Sequence, residues 1–151
     1  MPEVQVAPGG ALTAMLADTW DPSRTAVLEA APPAALPQGG ALEGDAQVVE
    51  YTPDRVVVRA SASRPALLVL ADNFYEGWTA TVSGQPAEVV RANHTLRGVV
   101  VGEGTHEIVF TYQPRDLYVG LGVTVAGLLL LAGYGIFVLL RSRRAPGEAA
   151  A

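Results

Sequence analysis

Apolar and polar positions alternate along residues 55–61, with Val56, Val58 and Ala60 on one face and Arg55, Val57 and Arg59 on the other. A period of two is the mark of a strand. Trp78, Ala80 and Val82 alternate with Thr79 and Thr81 in the same way. Residues 66–71, set up by Pro65, are a continuous apolar run, expected of a strand buried on both faces. Residues 48–51, 86–90, 95–101 and 106–113 read as further strands. Ser83-Gly84 predicts a two-residue hairpin, and Gly102-Glu103-Gly104 predicts a turn pairing 95–101 with 106–113. Seven short strands joined by turn residues predict a mainly β fold, an antiparallel β-sandwich of jelly-roll-like character.

The pattern differs on either side of this block. Residues 11–19 carry Leu12, Met15 and Leu16 at helical spacing, and Asp21-Pro22 ends that helix. Residues 25–29 suit a short strand. Residues 30–44 hold Pro32, Pro33, Pro37, Gly39, Gly40 and Gly44, and read as a linker or surface loop, mobile and without function of its own. Beyond Pro114, residues 117–140 contain no charged side chain. These 24 residues make roughly 36 Å of helix, enough to cross a hydrocarbon core of about 30 Å. The expected division is therefore 1–45 for the N-terminal helix, strand and linker, 46–114 for the sandwich, 115–141 for a transmembrane helix and 142–151 for a tail.

Arg141, Arg143 and Arg144 follow the span at once. By the positive-inside rule the tail is cytoplasmic and the β-domain extracytoplasmic. Only Pro114, Arg115 and Asp116 separate the last strand from the span, which places the sandwich close to the membrane surface. Arg115 and Tyr118 fall where such side chains snorkel or anchor. Residues 1–10 have neither a basic n-region nor an apolar h-region, so they are no secretory signal. The simplest resolution is a C-terminal piece of a longer membrane protein, or a truncated reading frame. Gly122, Ala126 and Gly133 share one helix face, with Gly120 and Thr124 beside it, which suits packing against upstream or partner transmembrane helices as well as looser packing in lipid.

Composition changes the picture in three ways. There is no cysteine, hence no disulfide and no thiolate metal site. All ten basic residues are arginine, and Ala and Gly abound, a pattern that suggests a bacterial chain. Up to Asp116 there are seven Arg against fourteen Asp and Glu, a charge of −7, which excludes nucleic acid as a partner.

The chemistry is concentrated in two places. Asp72-Asn73-Phe74-Tyr75-Glu76-Gly77-Trp78 follows a buried strand, so it lies at the sandwich edge. Aromatics beside carboxylates and amides are what a sugar cleft uses. Alternation with Ala80 and Val82 points Trp78 into the core instead, and Gly77 suits a positive φ. Arg91, Asn93, His94 and Arg97 form the second group. The two arginines suit a phosphate or carboxylate clamp, or pairing with Asp72 or Glu76 that holds the loop. His94 and His106 are the only histidines and make no metal site, while His106 is placed to cap a strand. No nucleophile motif, no phosphate loop and no catalytic residue is present, and no cofactor is implied.

Phe74-Tyr75-Glu76-Gly77-Trp78, Arg91-Ala92-Asn93, Leu96-Arg97-Gly98-Val99-Val100-Val101, residues 104–114 (Gly104 to Pro114) and the final apolar helix together resemble the C-terminal end of the YfhO family, over roughly residues 48–140. These are large bacterial multi-spanning proteins similar to C-type glycosyltransferases that use polyprenyl-phosphate sugars. The resemblance implies a glycosyltransferase parent in cell-surface glycan or lipid assembly, located in the bacterial cytoplasmic membrane. In such enzymes the catalytic acid lies in an early extracytoplasmic loop, so this chain lacks the catalytic region. The positions that match the family pattern are Asp72, Tyr75, Trp78, Arg91, Asn93 and Arg97. They are the candidate ligand contacts toward a glycan or lipid-linked sugar, or structural residues. The rival reading is a freestanding membrane-tethered module that binds glycan or protein.

Overall fold

The structure is a computed structural model that describes residues 1, 3–39 and 41–143. It divides into two compact units, Met1–Gln113 and Pro114–Ala151. Arg144 and nearly all of the tail lie outside the described residues.

Among the described residues the first unit holds ten strands and one short helix: β1 (Glu3–Val6), α1 (Ala11–Met15), β2 (Thr25–Leu28), β3 (Gly44–Tyr51), β4 (Arg55–Ala62), β5 (Ala66–Asn73), β6 (Trp78–Val82), β7 (Gln85–Ala87), β8 (Val90–Ala92), β9 (Leu96–Val101) and β10 (Gly104–Tyr112). One sheet runs β1-β2-β8-β9-β5 and the other β3-β4-β10-β6-β7. All pairings are antiparallel except β1 with β2.

The alternation read from the sequence is the packing of the two sheets. Val56, Val58 and Ala60 of β4, Ile108 and Phe110 of β10 and Ala80 of β6 bury against Ala66, Val99 and Val101 from the facing sheet. Ile108 and Phe110 are wholly enclosed, and full burial of such a side chain contributes about 1.5–3 kcal/mol. Val57 points to the opposite face yet is also buried, opposite Val109 and Glu50. The first sheet is covered on its other face too. Ala26, Leu28, Leu67 and Ala92 are buried there, with Leu36 packed against them. The run over β5 is apolar on both sides for this reason.

Three expectations need correction. The Pro/Gly-rich linker is docked: Leu36 and Leu42 pack on the two cores, and Arg64 Nη1 donates to the Pro37 carbonyl at 3.0 Å. The Gly102–Gly104 turn does not make a pair, because β9 lies in one sheet and β10 in the other. The span 86–90 is two strands, β7 and β8, and the chain changes sheet between them. The Ser83-Gly84 hairpin is as expected. Both residues have positive φ, 50° and 79°, the mark of a type I′ turn, and Val82 pairs with Gln85.

Among the described residues the second unit holds a single helix, α2 (Arg115–Arg143). Its apolar stretch, 115–142, meets the length and composition of a membrane span and has none of its residues buried. Leu128 to Leu131 are each more than 60% exposed, an arrangement that water disfavours and lipid does not. Asp116 lies in the first turn, where the helix dipole favours a carboxylate.

Candidate functional site

Two edge strands, one from each sheet, are irregular at the same end of the sandwich. In β3, Ala46 and Val48 oppose the inward Ala60 and Val58 of β4. Strict alternation would then turn Glu50 inward. The register shifts between Val48 and Glu50, so Tyr51 opposes the inward Val56. One extra residue flips the parity of those that follow it. In β5 the register with β9 shifts between Leu70 and Asn73, leaving Ala71 and Asp72 without ladder partners. The two irregularities bring Tyr51 and Asp72 together, and Tyr51 Oη donates to Asp72 Oδ2 at 2.9 Å.

Arg97 closes the arrangement. Its side chain is 1% exposed, and Nη2 donates to Asp72 Oδ2 at 2.7 Å. Nη1 donates to the Asn73 carbonyl at 3.1 Å, while Nε has no hydrogen-bond partner. The guanidinium lies 3.7 Å from the Trp78 ring centre and 5.5 Å from that of Phe110. A desolvated cation over an indole face is attracted by about 2 kcal/mol or more, which offsets part of the cost of enclosing it. Burial pulls the Arg97 pKa below its ordinary value, opposed by the charge of Asp72. Tyr51 is pushed above its ordinary value, first by its hydrogen bond to Asp72 and then by that carboxylate's charge.

Trp78 and Tyr112 are cross-strand partners on β6 and β10, with ring centres 5.3 Å apart. Trp78 packs on the core from the inner face, as its alternation with Ala80 and Val82 indicates. Gly77 before it has a φ of 101°. Tyr75 stands 58% exposed, its Oη accepting from Asn73 Nδ2 at 3.4 Å. Tyr51, Asp72, Tyr75, Trp78, Arg97 and Tyr112, with Thr52 and Pro53, line an open cleft of about 400 Å³.

The structure thus brings together four of the six candidate residues: Asp72, Tyr75, Trp78 and Arg97. Arg91 and Asn93 do not line this cleft. Arg91 meets Glu29 at 3.8 Å, not Asp72 or Glu76, and stacks 5.0 Å over Phe74. Asn93 is buried and accepts from the Val27 N–H at 2.8 Å, while its own N–H donates to the Val27 carbonyl. It ties β2 to the β8–β9 turn, where Asn93 and His94 hold positive φ of 48° and 67°. His106 reaches Ser83 Oγ at 3.0 Å and the Glu103 carbonyl at 3.1 Å, and so ties down the turn before β10. Tyr51, Thr52, Pro53 and Tyr112 are cleft residues outside the two polar groups of the sequence. Tyr112 continues the alternation of Ile108 and Phe110, which was a usable signal. Tyr51 was hidden by the bulge.

A family model described as bacterial membrane protein YfhO matches residues 43–124, from just before β3 into α2. No curated protein and no solved structure matches the chain.

Proposed function

Since the chain belongs to the YfhO family of bacterial membrane proteins, we propose that it is the extracytoplasmic C-terminal β-domain and last membrane helix of a polyprenyl-phosphate-sugar-dependent glycosyltransferase. The parent acts in assembly of a cell-surface glycan or lipid, and this segment is non-catalytic on its own. The observation that carries the reading is the family match, which covers the second sheet, β5, β8, β9 and the first third of an apolar, unburied helix. Arginines at the end of that helix favour a cytoplasmic C-terminus. Its small-residue face favours neighbouring spans, since a Cβ added at Gly120, Gly122 or Gly133 would meet nothing within 4 Å among the described residues outside its own helix turn.

Two measurements test this. Protease added to intact protoplasts that express the chain digests the β-domain and spares a C-terminal tag; the reverse protection overturns the orientation. Membranes holding the chain alone transfer no sugar from a labelled polyprenyl-phosphate donor, whereas transfer by this segment unaided overturns the non-catalytic role.

A further inference from the structure

The cleft between Tyr51 and Tyr75 deepens that reading and rests on it. Its volume, about 400 Å³, falls toward the lower end of small-ligand sites, about 300–1,000 Å³. Its walls are mostly aromatic, with Pro53 beside them, and its polar groups are the phenols, the Thr52 hydroxyl, the Asp72 carboxylate and the Arg97 guanidinium behind it. Tyr51 and Tyr75 are 64% and 58% exposed, so their rings are open to a ligand. Asp72 is 31% exposed at its side chain and keeps acceptor capacity beyond the bonds it already makes.

The charge distribution decides the ligand class. Arg97 is the one cation among the residues lining the cleft. It is 1% exposed, and both terminal nitrogens are taken by Asp72 and the Asn73 carbonyl. Among the residues lining the cleft no free positive charge faces an incoming group, and the exposed charge is the Asp72 carboxylate. A phosphate entering here would lose water and meet an anion. A neutral polyhydroxyl ring has the opposite balance, with C–H faces for the tyrosines and hydroxyl donors for the carboxylate and phenol oxygens. We propose that this cleft binds a neutral sugar unit of a glycan chain, and does not bind the phosphate of a lipid-linked donor. Tyr51 and Tyr75 are the contact rings, Asp72 the hydroxyl acceptor, and Arg97 a positioning residue that holds Asp72 from behind.

The test is binding by the full chain in detergent micelles. The probes are neutral hexaoses of glucose, mannose and N-acetylglucosamine, with inorganic phosphate and glucose 1-phosphate as anionic controls. Calorimetry is expected to show saturable binding of at least one neutral hexaose and none of either anion. Tyr75→Ala is expected to weaken binding about tenfold, the loss of one good aromatic contact, with an unchanged melting midpoint. Tyr75 is the better variant because Asp72→Asn would strip Arg97 of its anion and endanger the fold. Failure of every neutral hexaose to bind, equal binding by Tyr75→Ala, or competition by phosphate overturns the proposal. Hexaose binding in a protein whose parent shows no sugar transfer would leave the cleft standing and sink the glycosyltransferase reading. Transfer without hexaose binding would do the reverse.

Discussion

Arg91 and Arg97 face each other across β8 and β9 as direct cross-strand partners. Like charges so placed repel, and the fold separates them by sending each to a different acid. Arg97 turns into the sandwich, where Asp72, the Asn73 carbonyl and the Trp78 face enclose it. Arg91 reaches Glu29 with its side chain 45% exposed. Similar chemistry is therefore a structural commitment in one place and a solvated contact in the other. What separates them is the irregular end of β5, which supplies an inward carboxylate to one arginine only.

Replacing Arg97 by Met strains this contrast most. It leaves Asp72 facing a half-enclosed cleft without its cation, and is expected to cost about 3 kcal/mol, the lower end for a broken buried pair because Asp72 keeps some solvent. Urea unfolding of the full chain in detergent, followed by tryptophan fluorescence, measures it. A loss no larger than that of Arg91→Met would erase the distinction. Asn93→Ala comes next. It strands the buried Val27 N–H, at about 1–3 kcal/mol, and adds strain at a φ of 48°. Asn93→Gly relieves the strain alone, so comparing the two variants in the same unfolding assay separates bond from backbone. Arg91→Met is expected to cost less than about 1 kcal/mol, and added salt should shrink the difference further.

The smallest effect is the alkaline one. The Tyr51 phenol is held above its ordinary 10.0 by Asp72. Its hydrogen bond needs the phenolic proton, so the stabilisation is whole below pH 10.0 and is lost as pH rises through the raised folded value. Ultraviolet titration of tyrosinate should show one late-titrating tyrosine that is missing from Tyr51→Phe. Curves that superimpose once scaled for the one missing phenol would mean that the bond to Asp72 does not persist in solution.

The inward faces of β4, β6 and β10 were legible because alternation is local, carried by consecutive side chains such as Val56, Val58 and Ala60. The hairpin at Ser83-Gly84 was legible for the same reason. Which strand pairs with which was not. The turn at Gly102–Gly104 looks like a hairpin, but β9 and β10 belong to different sheets, since each completes a ladder with strands distant in sequence. Of the cleft, the Asp72–Trp78 stretch is legible by composition, and pairing with Asp72 is one of the two roles that the chemistry of Arg97 suits. Tyr51 escaped because Val49 is an ordinary strand residue, and nothing in its identity signals that it is the one to be skipped.

That skipped residue has a second effect. β3 is the outermost strand of its sheet, all eight of its residues are exposed, and Val48 and Val49 are among them. A free edge of this kind is a template on which another copy can add a strand and begin to aggregate. A bulge breaks the regular row of backbone donors and acceptors and twists the edge away from a straight partner. The irregularity that aims Tyr51 at Asp72 thus also guards the exposed flank of the sheet against its own kind.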